Sequence, residues 1–155
     1  MRSFFYDTWA FAALANRKDP GHDVAADVDR RLEQLGYVAV TSDYVLDEVL
    51  TLLCATAGGR VAVQFLDDFM ARVSGGDVML LQVSEVRREQ ALRLFRKGCI
   101  AERQFSFTDA TSFAIMHELG IQHAFTADGH FRRAGKGIRP LIEKIRGVYV
   151  AAALH

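Results

Sequence analysis

Apolar positions in this chain fall into short unbroken runs that alternate with stretches of helical period. Ser3–Tyr6 reads as a compact strand ended by Asp7, and Thr8–Ala15, rich in alanine and aromatics, as a helix packed on it. A loop with Pro20 follows. Val24, Ala25, Val28, Leu32 and Leu35 recur at helical spacing, so residues 22–35 predict a second helix, closed by Gly36. Residues 37–40 predict a second strand. Thr41 or Ser42 then caps a helix over Asp43–Thr56, and Gly58-Gly59 breaks the chain. Residues 60–73 predict another amphipathic helix, and Ser74 to Asp77 a turn. Residues 78–83 are continuously apolar, as in a parallel strand covered on both faces. Ser84 caps a helix to about Lys97, which Gly98 is expected to stop.

The stretch from Phe105 to Phe131 organises the rest. Ser106-x-x-Asp109 has the spacing of a capping box, in which hydroxyl and carboxylate each take an orphan backbone N–H. The helix it opens ends at Gly120. A short apolar strand follows and finishes in Asp128. A last strand over residues 138–142 is expected at a sheet edge, because Pro140 cannot donate to a ladder. In the tail, Val148 to Val150 favour a strand and Ala151 to Leu154 a helix. This alternation predicts an α/β fold with a mostly parallel sheet and right-handed crossovers.

With 155 residues, half of them apolar, the chain has the size of a single domain with a substantial core. Lys plus Arg and Asp plus Glu balance at 19 each, so no global polycation draws it to nucleic acid, although a local patch still can. Cys54 and Cys99 have no metal-ligand spacing and read as buried or idle thiols in a reducing compartment. Asp7 interrupts the aromatic N-terminal run, which is unlike a signal peptide, and no segment has the length of a membrane span. The expected location is the cytoplasm.

Four acids then draw attention. Asp7 and Asp128 end strands, where open α/β sheets bind ligands. Asp109 lies between Phe113 and Met116 on a helix face expected to be buried, where an acid is costly unless paired, hydrogen-bonded or on a metal. Glu48 lies about 40° round its helix from Leu52, at the edge of an apolar arc of Val45, Val49, Leu52 and Leu53, whereas Asp47 points to solvent. Singly, each has a plain structural reading. Asp7 and Asp109 are helix caps, Glu48 a surface glutamate, and Asp128-Gly129 a turn. Jointly they describe a cluster whose repulsion a hard divalent cation, Mg2+ or Mn2+, relieves. Such a site suits metal-assisted phosphodiester hydrolysis.

In this order the pieces resemble the PIN-domain family, and within it the small prokaryotic VapC-type toxins. The pieces are Phe4-Phe5-Tyr6-Asp7-Thr8, the helix 43–50 bearing Glu48, Thr108-Asp109-Ala110, and Thr126-Ala127-Asp128 with Phe131 after it. The resemblance spans residues 3–141. It implies a doubly wound, three-layer sheet of about five strands flanked by helices, with Asp7, Glu48, Asp109 and Asp128 meeting at one end as catalytic, metal-binding acids. Thr126, Thr8 and Thr108 would support them by hydrogen bonds. It implies Mg2+- or Mn2+-dependent cleavage of single-stranded RNA, a homodimer, and an antitoxin that covers the site. One position departs. Many members carry an acid two residues past the last Asp, and this chain has His130 there, which leaves one or two metals open. His130 reads either as a solvent-facing turn residue or as a phosphate contact.

RNA needs positive charge near the metal. Arg132, Arg133, Lys136, Arg139, Lys144 and Arg146 follow Asp128, and Arg103 precedes the Asp109 helix. They are candidates for RNA contacts, or else a solvated face. Other chemistries lack their motifs. No Asp-x-Asp follows the first strand (the third residue is Trp9), and there is no glycine-rich nucleotide loop or nucleophile elbow. The alternative function is a non-catalytic module of the same fold that holds RNA or protein, with the acids as structural caps.

Overall fold

The computed structural model describes residues 2–133, 139–146 and 148–151, with main chain only at 132, 133, 139, 144 and 145. The elements run β1 (Ser3–Tyr6), α1 (Thr8–Ala15), α2 (His22–Gln34), β2 (Val38–Ser42), α3 (Asp43–Thr56), α4 (Gly59–Gly75), β3 (Val78–Leu81), α5 (Glu85–Ile100), α6 (Phe107–Leu119), β4 (His123–Phe125), α7 (Gly129–Arg133), β5 (Arg139–Pro140), β6 (Ile142–Ile145) and β7 (Val148–Ala151). The first five strands form one parallel sheet in the order β3-β2-β1-β4-β5. The chain leaves the centre through β2 and β3, then crosses back to β4 on the other side of β1. The switch in strand order therefore falls between β1 and β4. Crossovers of one hand on both sides of β1 place helices on both faces.

Phe5, Val40, Ala124 and Phe125 are wholly buried in the central strands. Phe11 of α1 packs against Tyr6 and against Phe65 and Phe69 of α4, with ring centroids 5.4–5.8 Å apart. Helix starts follow the caps expected from sequence. Ser42 Oγ accepts from Val45 N at 3.2 Å, and Ser84 Oγ from Arg87 N at 3.4 Å. Gly120 adopts φ +66°, a left-handed value suited to a glycine ending a helix.

Several sequence expectations change. Gly98 does not stop α5, which continues to Ile100. A Cβ on Gly98 would lie 2.2 Å from Phe105 Cζ, so the glycine lets that ring press against the helix backbone. β3 is an edge strand, and Met79, Leu80 and Leu81 are only half-buried. Leu52, expected in the buried arc of α3, is 37% exposed, while Val45, Val49 and Leu53 are buried. Pro140 does sit at a sheet edge, in β5. In the tail, Ile142–Ile145 and Val148–Ala151 pair antiparallel as β6 and β7, as the apolar run at Val148 suggested, and residues 152–155 lie outside the described residues. Among the described residues, no helix is long and apolar enough to cross a membrane, and Cys54 and Cys99 are free and exposed.

A half-buried ion network joins β1, α2 and α4. Tyr6 donates its hydroxyl to Asp29 Oδ1 at 2.7 Å. Arg72 donates to both Asp29 oxygens at 3.1 and 3.3 Å and to Glu33 at 3.0 Å. Arg72→Met keeps the apolar stem but strands two carboxylates beside the tyrosine. We expect it to lower unfolding free energy by about 2 kcal/mol, less than a fully buried pair would cost. Urea denaturation checks this, and an unchanged midpoint would mean that the network contributes nothing net.

Candidate active site

The end of β1 carries Asp7 into the interior. Asp7 N donates to Phe125 O, across to β4, at 3.3 Å. Asp7 occupies the N-cap position of α1, yet its side chain makes no capping bond. Instead its Oδ2 accepts from the Thr126 hydroxyl at 2.9 Å, and only 4% of the residue is exposed. Thr126 is fully buried, and its Oγ1 also accepts from Asp128 N at 2.9 Å. One hydroxyl thus fixes the acid after β1 and the loop after β4 together. Asp128 Oδ1 then accepts from His130 N at 2.8 Å, as an Asx turn opening α7 does.

Asp109 has two roles. The capping box is complete, with Ser106 N donating to Asp109 Oδ2 at 2.8 Å and Asp109 N to Ser106 Oγ at 3.0 Å. The same carboxylate is 6% exposed and faces the cluster, with Oδ2 3.9 Å from His130 Nδ1. His130 Nδ1 also lies 3.1 Å from Asp128 Oδ1. His130 therefore both follows the turn at Asp128 and faces the acids. Asp109, Asp128 and His130 each offer a ligand atom, all within 4.8 Å of one another. Glu48 is half-buried and accepts from the Thr8 hydroxyl, while Asp47 is exposed. Thr108 enters through its carbonyl, which accepts from the hydroxyls of Thr111 and Ser112 at 2.7 and 3.0 Å.

All four acids line one cleft of about 950 Å3, together with Thr8, Trp9, Phe105, His130 and Tyr149. Burial, with neighbouring charge second, raises the pKa of two of the four. Burial pushes the Asp7 carboxyl up to about 7; Asp109 and Asp128 push the same way, against the Thr126 bond. Asp109 is also raised, chiefly by burial, with Asp128 and Glu48 adding to it and the Ser106 bonds opposing. Buried Asp7 and Asp109 beside Asp128 and Glu48, with no lysine or arginine among the described residues that line the cleft, fit a divalent cation. The oxygen-rich donor set favours a hard one.

The basic candidates are less concentrated. Arg103 is exposed, next to the cleft residue Gln104. The side chains of Arg132, Arg133, Arg139 and Lys144, and all of Lys136, lie outside the described residues. Arg146 is exposed in the β6–β7 turn. Sequence reasoning missed Trp9, Phe105 and Tyr149 as cleft residues. For Trp9 the signal was available, since it directly follows Asp7-Thr8.

Comparisons with known proteins converge. Residues 4–137 match the family described as PIN domain. The chain is 39% identical over 132 residues to the 23S rRNA-specific endonuclease VapC20 of Mycobacterium tuberculosis, covering 84% of this chain and 93% of that protein. The crystal structure of that organism's VapC20, described as a Sarcin-Ricin loop cleaving toxin, superposes with TM-score 0.72 at 38% identity, over 85% of this chain and 95% of that one. A DNA-bound VapBC2 from Rickettsia felis shares the fold, with TM-score 0.66 at 14% identity over 85% of this chain and 92% of that one. A DNA-bound VapBC from Salmonella typhimurium does likewise, with TM-score 0.66 at 13% identity over 90% and 97%.

The raised Asp7 carboxyl has a consequence for stability without metal. Between the unfolded value near 3.8 and the folded value of about 7, the folded state keeps a proton that the unfolded state releases. Stability therefore falls as pH rises through that window and levels off above it. In EDTA, wild type should lose stability on the order of a few kcal/mol from pH 4 to pH 8. Asp7→Asn should flatten much of that slope. Parallel slopes for the two proteins would show that Asp7 is not the group responsible.

Proposed function

The chain belongs to the PIN-domain family, and from that premise we propose that it is a metal-dependent endoribonuclease, the toxin of a toxin–antitoxin pair. The observation that carries this reading is the convergence of Asp7, Glu48, Asp109 and Asp128 on one cleft at the strand switch. These four would hold Mg2+ or Mn2+, with His130 beside them. When bound, the cation supplies Lewis-acid polarisation of the phosphate and a more acidic water. The chain's own contribution is to hold the carboxylates ready. Thr126 orients Asp7 and the Asp128 loop, Ser106 orients Asp109, and Thr8 orients Glu48. Because these bonds are made within the fold, little reorganisation accompanies substrate binding.

Likeness to a 23S rRNA-specific endonuclease supports an RNA substrate, and the sarcin–ricin loop of the large ribosomal RNA is the target we assign. Likeness of fold to VapBC complexes supports an antitoxin partner. A homodimer, a cytoplasmic location and a single domain over residues 1–155 complete the proposal. Arg103, His130, Arg132 and Arg133 are the proposed phosphate contacts.

Cleavage of an RNA hairpin bearing the sarcin–ricin loop sequence, beside a random single-stranded pool, tests this in Mg2+, Mn2+ and EDTA. Wild type should cut only with metal. Asp7→Asn and Asp128→Asn should each lose at least about a hundredfold, the scale of a lost catalytic group. Metal-independent cutting, or full activity in either variant, would sink the assignment. No cutting and no metal binding would favour the non-catalytic binding module. Separately, millimolar Mn2+ should raise the Tm of wild type and leave that of Asp7→Asn unmoved.

A further inference from the structure

Besides its acids, the cleft is lined by aromatic rings. Trp9 follows Thr8, the residue bonded to Glu48, and stands two positions after Asp7. Its indole meets the Tyr149 ring at a centroid distance of 5.3 Å, with planes 44° apart. Phe125 of β4 backs it edge-on at 6.3 Å. The main chain at Gly21 closes against its far edge, where a Cβ would lie 2.5 Å from Trp9 Cζ2. The indole is therefore clamped by a strand, a loop and a hairpin, yet Trp9 and Tyr149 are both only partly buried. Tyr149 comes from β7, beyond residue 137, where the family match ends. The hairpin thus brings a ring of its own to the cleft.

Neither ring carries charge to offset a phosphate. Rigid rings left partly wet beside a phosphodiester site suit the flat faces of bases, which stack on aromatics whatever their sequence. We propose that Trp9 and Tyr149 form a nucleobase subsite, on which the base next to the scissile phosphate stacks as the RNA enters the cleft. This rests on the ribonuclease reading above. Planes 44° apart make a wedge, so a base lies flat on one ring and meets the other at its edge. The subsite holds a nucleotide that is already unstacked, which selects loops over duplex. Its part in the reaction is binding and register.

The test compares wild type, Trp9→Ala, Trp9→Phe and Tyr149→Ala in Mn2+. The substrate is the sarcin–ricin hairpin, intact or with an abasic residue beside the mapped cut. Removing the base should raise wild-type KM about tenfold. Trp9→Ala should raise KM as much on intact RNA and then be indifferent to the missing base. Trp9→Phe should keep most of the affinity, and Tyr149→Ala should shift KM the same way as Trp9→Ala. The Mn2+-induced rise in Tm should persist in all three variants. Wild-type KM in Trp9→Ala, equal losses in the Phe and Ala variants, or a fall in kcat with loss of the Tm rise would each overturn the subsite. Failure of wild type to cut would defeat the ribonuclease reading separately. Stacking is then decided by fluorescence, because Trp9 is the single tryptophan of the chain. In EDTA, a single-stranded RNA decamer should quench its emission, and a fully abasic decamer should not. Unchanged emission with the intact decamer overturns the proposal.

Discussion

A carboxylate carried into the protein's interior by its central strand is the constraint on which the cleft depends. Asp7 is almost fully buried, and no cation among the described residues pairs with it. Burial of an acid in that state is tolerable only in part, through the Thr126 hydroxyl and a share of protonation. The rest of the arrangement follows from placing it there. β4 must lie against β1 to supply Thr126, and the chain must reverse its strand order at that point. α6 must start beneath the same rim to present Asp109. The neighbours of Asp7 add to the cost, since Asp109 and Asp128 raise its carboxyl further, after burial itself.

Single side chains here serve two ends at once. Asp109 caps α6 and faces the cluster with the same carboxylate. Thr126 orients two acids with one hydroxyl. Capping and metal holding were rival sequence readings of Asp109, and the structure shows that the geometry of the first permits the second. The N–H of Ser106 stabilises the charged form, opposing part of the penalty of burial. Phe105 likewise reaches both the cleft and the backbone of α5, through the gap at Gly98.

Much of this was legible in the residues. α1 and α3 coincide with the predicted segments, because capping residues and apolar period agree there. The end of β1 placed Asp7, and helical angle separated Glu48 from Asp47, whereas β4 stops at Phe125 and Asp128 follows in the loop rather than ending the strand. What escaped has identifiable causes. Gly98 has two uses, helix stop and close approach, and sequence cannot tell which without knowing that Phe105 folds back. The apolar run at β3 resembles a central strand, but edge position is a property of the sheet's order. His130 keeps its turn position beside Asp128, but its approach to Asp109, far earlier in the chain, is not visible in sequence spacing. Tyr149 could not be assigned to the cleft from a tail whose strand and helix signals compete.

The bond between Asp7 and Thr126 spans 119 positions. Closing so long a loop carries an entropic cost that the local bonds of the helices do not. β1, the first strand in chain order, is also the middle of the sheet and needs partners on both sides. During synthesis, no fragment ending before Thr126 can assemble the cleft, however well its helices form. Whatever chemistry the cleft performs, a fragment that stops short of Thr126 lacks the hydroxyl that fixes Asp7 and the Asp128 loop, and with it that chemistry.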